Sequence, residues 1–197
     1  MIETKKDLRF YLQKDAEALG INHKSVMYRM LRDIGMGEKI WKFQYALRHH
    51  EYWLNRWRRH RRHLFLLLPL AYWKWRHDRL GLQLGFSVPC NVFGYGLRIN
   101  HYGLLVVNAG ARIGNFCDIH QGVNIGQNIL PGSVPTLGDN VWIGPGVKIF
   151  GKIKIASRIA IGAGAVVNKS FTEENITIAG VPPACKVKDG GDPYHRK

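Results

Sequence analysis

The chain has 197 residues, of which 46% are hydrophobic and 22% charged, a balance that excludes disordered and collagen-like classes and suits one domain, or a small domain with an appendage. Its 29 Lys and Arg against 14 Asp and Glu leave a net charge of +15, which predicts attraction to phosphates, acidic glycans or an anionic membrane surface. Three cysteines, Cys90, Cys117 and Cys185, form no CxxC pair, so neither a disulfide scaffold nor a zinc ribbon is expected and a reducing, cytoplasmic compartment is the default.

Met1 to Arg9 alternates charge without an apolar stretch or a small-residue cleavage site, so no secretory leader is expected. Thr4 followed by Asp7 resembles a capping box, and Leu8, Leu12, Ala16 and Leu19 keep helical spacing until Gly20, which predicts a first helix. A second is expected from Glu38, with Ile40, Phe43, Leu47 and Leu54 at near-helical intervals, and a third from about Leu64 to Leu80. The apolar run Leu64 to Trp73 is broken by Pro69 and falls well short of the roughly 20 residues that span a bilayer.

Between the second and third helices, Arg56-Trp57-Arg58-Arg59-His60-Arg61-Arg62 packs five arginines into seven residues. The plain reading is a solvated helix face or an exposed connection. The sharper reading is a basic, Trp-rich surface that leans on anionic lipid or a glycan carrier at the inner membrane surface. Nucleic acid is not expected as a partner, because no helix-turn-helix, zinc finger or RNA-stacking motif accompanies the charge.

Only 3 of the 22 glycines fall in residues 1–80, so composition changes at Gly81. This predicts a helical N-terminal region over 1–80, a β domain over 81–171, and a C-terminal cap and tail over 172–197. In the β domain every sixth residue is aliphatic: Val107, Ile113, Ile119 and Ile125, then Leu137, Ile143, Ile149, Ile155, Ile161 and Val167. Four places after these comes a second apolar or small set: Ala111, Cys117, Val123, Ile129, Val141, Val147, Ile153, Ile159 and Ala165. A helix of period 3.6 cannot hold such a repeat on one face, and a simple strand needs period two. Short strands joined by turns at hexapeptide spacing can, and three hexads close a triangular coil; about five coils stack into a mainly β fold, a parallel β-helix.

The repeat fails in two places, and departures of this kind are where function concentrates. Ile99 to Val107 is eight residues in place of six and holds Asn100-His101-Tyr102-Gly103. Between Ile125 and Leu137 the phase position is Pro131, so about six residues are expected to leave the coil as a loop. His101, at the first break, is a candidate general base or a structural histidine. His120 directly follows core Ile119 and reads as an exposed corner. Asp118 could orient an imidazole.

Asn100-His101-Tyr102-Gly103-Leu104-Leu105-Val106-Val107, Ile119-His120-Gln121-Gly122-Val123-Asn124-Ile125-Gly126 and Ile178-Ala179-Gly180-Val181-Pro182-Pro183-Ala184 together resemble the serine acetyltransferase branch of the hexapeptide-repeat acyltransferases. The likeness covers Gly85 to Lys188 and implies a left-handed parallel β-helix with a short N-terminal helical domain. It also implies a homotrimer in which acetyl-CoA lies along the groove between two solenoids. His101 is then the base, with Asn100, Tyr102 and His120 at the acceptor. Gly144, Gly162, Ala163, Asn168, Lys169, Ala179, Pro182 and Lys186 would meet acetyl-CoA, with no metal required.

The resemblance also shows departures. Serine-specific members carry an acidic residue where this chain has Asn100, an orienting Asp where it has Phe86, and an Arg-His pair near Ser133-Val134. These positions offer no counter-charges for a free amino acid, so a sugar hydroxyl of polysaccharide assembly, as in capsule and exopolysaccharide acetyltransferases, is expected ahead of serine. A metal-dependent hydratase would need three converging histidines, and the solenoid offers only His101 and His120. A non-enzymatic scaffold would leave the two interruptions unexplained.

Overall fold

The computed structural model describes residues 1–21, 36–181 and 185–188. Helix α1 (Lys5–Ala18) starts on the expected capping box, with the Thr4 hydroxyl accepting from the Asp7 amide and the Asp7 carboxylate accepting from the Thr4 amide. Helix α2 (Met36–Arg59) is followed by an exposed connection, a 3-10 turn (Leu64–Leu66) and α3 (Leu67–Leu84). Helix α3 passes through Gly81, where a Cβ would meet the Phe86 carbonyl oxygen at 2.7 Å and the Phe43 ring at 3.5 Å. It stops at Gly85, whose left-handed φ of 77° a side chain would resist. Gly81 therefore marks a close approach of helix to coil, and the break in direction falls four residues later. No helix among the described residues is long and apolar enough to cross a membrane.

The solenoid follows. β1 (Phe86–Ser87) and β2 (Arg98–Ile99) begin it; β3 (Leu105–Val107), β4 (Arg112–Ile113) and β5 (Asp118–Ile119) make the next coil. β6 (Asn124–Gly126), β7 (Thr136–Leu137) and β8 (Trp142–Ile143) make another, then β9 (Lys148–Phe150), β10 (Lys154–Ile155) and β11 (Ala160–Ile161). β12 (Val166–Val167) and β13 (Ile176–Ala179) close it, and β14 (Cys185–Lys188) turns back. Three sheets result, in the orders β1-β3-β6-β9-β12, β4-β7-β10 and β2-β5-β8-β11-β13-β14, parallel except for the last pair.

The hexad residues are the core. Ile119, Ile125, Ile143, Ile149, Ile161 and Val167 are wholly buried and stack in register, Ile119 on Ile143 on Ile161 and Ile125 on Ile149 on Val167. Leu137 pairs with Ile113, so the residues between β6 and β7 do leave the coil. One member of the second apolar set is misplaced by the sequence reading: Ile129 lies in that loop, 93% exposed. Buried Pro135 takes its place, two residues before Leu137 as Ala111 is two before Ile113.

The helices cap the first coil. Ile40, Phe43 and Leu47 join the solenoid core, the Phe43 ring meets Phe86 edge-on at 5.0 Å, and the Gln44 amide donates to the Leu97 carbonyl at 2.7 Å. Asp15 of α1 accepts from the Leu97 amide at 2.9 Å and from buried Arg48 of α2. Arg48 also reaches the carbonyls of Phe93 and Gly94. A solenoid end would otherwise expose its apolar interior and unpaired backbone, and α1 and α2 satisfy both.

Candidate active site

One corner of the solenoid carries most of the expected residues. Directly after the inward-facing Ile of each parallel strand in the third sheet comes one residue of a column: Asn100, His120, Gly144 and Gly162 at corners, and Ala179 as the last residue of β13. The amides of the first four donate to Ile119, Ile143, Ile161 and Ile178 carbonyls of the next coil at 3.0, 3.2, 2.9 and 2.8 Å, which fixes them as a column. Beyond it the chain turns through Gly122 and Gly146, both at left-handed φ, so close that a Cβ on Gly122 would stand 3.2 Å from the Gly146 Cα. The column thus changes along its length, polar at the Asn100 end and bare backbone from Gly144 onward.

At the polar end, the His101 ring is exposed in the lengthened turn, and its centroid lies 6.3 Å from that of His120. Among the described residues His101 has no side-chain hydrogen bond. His120 is better held: its Nδ1 is 3.0 Å from the Ile143 carbonyl and its ring meets Trp142 edge-on at 5.0 Å. A carbonyl can only accept, so Nδ1 carries a proton and donates it to that bond.

Buried Asp118 lies next to His120. It accepts from the Asn100 side-chain amide, lies 3.9 Å from His120 Nδ1, and has the partly exposed Arg98 guanidinium at 3.8 Å. Sequence reasoning noted Asp118 but missed Arg98, whose only signal is its place two residues before Asn100 on an outward strand position. It also missed Gln121, whose Oε1 is buried with no hydrogen-bond partner among the described residues. Phe86, at the expected place of an orienting carboxylate, is core, so His101 gains no carboxylate from there.

The remaining expected residues divide. Ala163 adjoins Gly162 at the same corner and is exposed, and Tyr102 is 54% exposed beside His101. Asn168 and Lys169 follow β12 and stand at a different corner, with the Lys169 ammonium 5.6 Å from the Phe171 ring. Pro182 and the side chain of Lys186 lie outside the described residues, although the Lys186 backbone pairs with Ile178.

The three-sided parallel coil capped by helices is a fold that this chain shares with solved serine acetyltransferases. No family model matches the chain. It is 35% identical over 126 residues to a serine acetyltransferase of Mycobacterium tuberculosis, a match covering 57% of this chain and 55% of that protein. The serine acetyltransferase structure from Neisseria gonorrhoeae superposes with a TM-score of 0.66 at 25% identity, over 94% of this chain and 67% of that one. A serine acetyltransferase solved in complex with CoA gives a TM-score of 0.64 at 21% identity, over 93% and 71% of the two chains. The chain spans about half the length of the curated relatives it matches.

Proposed function

We propose that the chain is an acetyl-CoA-dependent O-acetyltransferase whose first acceptor is serine. The observation that carries this is the corner column, where His101 and His120 stand at the head of a run of Gly144, Gly162 and Ala163 that leaves backbone bare for a pantetheine arm. His101 takes the proton of the acceptor hydroxyl as its oxygen attacks the thioester carbonyl. The tetrahedral oxyanion collapses, the carbon–sulfur bond breaks, and the imidazolium returns its proton to the departing CoA thiolate. The CoA-bound neighbour of like fold supports the co-substrate.

Sequence reasoning alone ranks a sugar above serine; two findings reverse that order. Relatives of this chain are named for serine, and one residue of each charge, Arg98 and Asp118, lies at the head of the column, 3.8 Å apart. Arg98 would take the serine carboxylate, while the orphaned Gln121 Oε1 and the Asp118 charge favour the ammonium. A sugar acceptor is the second reading, favoured by the neutral Asn100 amide at the mouth of the site. CoA-thiol release with free serine against monosaccharides and nucleotide sugars tests both. Serine is expected to lead, and Arg98→Met to raise its KM at least tenfold while leaving the acetyl-CoA KM unchanged; a sugar turning over more efficiently overturns the serine reading.

A homotrimer belongs to the same proposal, with Asn168 and Lys169, at a second corner, meeting the cofactor of a neighbouring subunit; light scattering of the full chain tests it. The α2–α3 connection supports peripheral contact with anionic lipid, because exposed Leu64, Phe65 and Leu68 follow the Arg56 to Arg62 run. Co-sedimentation with anionic vesicles, lost in a Phe65→Ser/Leu68→Ser variant, tests that contact.

A further inference from the structure

Away from the corner column, three potential metal ligands converge from three separate parts of the chain. His50 is on α2, His77 on α3, and Cys90 in the loop after β1, and their ligand atoms all lie within 4.8 Å of one another. The Nδ1 atoms of the two histidines are 3.1 Å apart. Around a tetrahedral zinc ion, bond lengths of about 2.0–2.1 Å to nitrogen and about 2.3 Å to sulfur put ligand atoms about 3.3 Å (N to N) and about 3.6 Å (N to S) apart. The nitrogen pair is thus already near the tetrahedral edge, and the sulfur needs to approach by on the order of an ångström at most.

The surroundings suit an ion. Both imidazoles are buried, Cys90 is half-buried, and the three line a cavity of about 560 Å³ whose other polar side chains are Asp78, Ser87 and Arg58. Ring packing of His77 on Phe43, with centroids 5.1 Å apart, holds the geometry.

We propose that His50, His77 and Cys90 form a zinc-type metal site that clamps α2 and α3 to the first coil, with a fourth position open to the cavity. Two nitrogens and a sulfur select a borderline-soft transition ion over magnesium or calcium. On binding, the metal–sulfur bond replaces the Cys90 S–H bond and that proton leaves to solvent. The imidazoles bind neutral, and the hydrogen bond between their Nδ1 atoms is given up as its proton passes to the outer ring nitrogen. The sequence reading set metal aside by looking for histidines within the solenoid, whereas this set straddles helices and coil. The proposal does not depend on the acetyltransferase reading.

The test uses the full chain, stripped with a chelator and titrated with Co²⁺ and then Zn²⁺. One Co²⁺ per chain is expected, with tetrahedral ligand-field bands and a thiolate-to-cobalt charge-transfer absorption that Zn²⁺ abolishes. Cys90→Ser should remove the charge-transfer absorption and weaken binding about a hundredfold or more, beyond the loss usual for an outer-sphere partner; His50→Gln, which leaves the thiol in place, should weaken it similarly. Zn²⁺ should raise the melting temperature of the natural chain and leave that of Cys90→Ser unmoved. Cobalt bound without the thiolate absorption, an absorption that survives Cys90→Ser, no binding, or a natural-chain melting temperature indifferent to Zn²⁺ each overturns the proposal.

Discussion

The imidazole rings of His101 and His120, on adjacent coils, lie with their centroids 6.3 Å apart and their planes tilted by 48°, a spacing at which both can act on one acceptor. Only His101 is free of hydrogen bonds to the described residues, and it occupies the lengthened turn. His120 is anchored through Nδ1 to the Ile143 carbonyl. We expect His101→Ala to lower kcat by about 10²- to 10⁴-fold, the range of a lost general base. His120→Ala should cost less and act more on acceptor KM. Steady-state kinetics by CoA-thiol release decide it: the reverse order of losses would move the base to His120.

Asn100 donates its side-chain amide to Asp118. Restoring the acidic residue of serine-specific members by Asn100→Asp would therefore set two carboxylates against each other, one of them buried. Arg98, at 3.8 Å, offsets only part of that repulsion. The variant is expected to lose about 1–3 kcal/mol of stability at neutral pH, as for a buried polar group deprived of its partner, and to show no gain in serine turnover. Thermal melts near pH 7 and near pH 4 would show the deficit shrinking in acid; a more stable or more active variant at neutral pH would contradict the packing described.

Two glycines of the column should respond differently to a methyl group. A Cβ on Gly144 would meet the Ala163 nitrogen at 2.8 Å and the Ile161 oxygen at 2.9 Å, whereas at Gly162 the nearest atom is 3.4 Å away. Gly144→Ala should thus destabilise the coil by about 1–3 kcal/mol. Gly162→Ala should fold normally, its methyl group resting against the Ile178 carbonyl oxygen and Ala179, yet raise the acetyl-CoA KM, because it adds bulk at the corner proposed for the pantetheine arm. An unchanged KM in a well-folded Gly162→Ala variant would remove that corner from the cofactor path.

Arg48 is wholly buried, 2.8 Å from Asp15 and 3.0 Å from Glu51, and burial pushes the Glu51 carboxyl up despite its cationic neighbour. Arg48→Met leaves two acidic side chains in the interior and should cost about 3–5 kcal/mol. For a domain of this size that is a fall in Tm of roughly 10 °C. A melt within a few degrees of the natural chain would mean that water enters the cluster.

How much of this was legible beforehand follows from the range of each interaction. The hexad phase from Val107 to Val167 is a local pattern repeated many times, so coil, core and loop could be read directly. Ile129 failed because phase alone cannot tell a core residue from one carried out on a loop, and Pro135 offered no aliphatic signal. The turn holding His101 was visible as a broken period. The contacts that define its chemistry were not, because Asn100 meets Asp118, and His120 meets Ile143, only once successive coils stack. Likewise His50, His77 and Cys90 are separated by long stretches of chain, and only the docking of two helices on the first coil brings them together.

The return strand has a consequence for anyone wishing to lengthen the molecule. β14 pairs antiparallel with β13, Ile176 opposite Lys188 and Ala179 opposite Cys185, on an edge where every earlier neighbour runs parallel. A coil grafted after β13 would compete with β14 for the same backbone groups and meet a reversed register. Extra coils belong instead between β8 and β11, where Ile143 stacks on Ile161 through one uninterrupted repeat and a duplicated segment could slide in without disturbing either end.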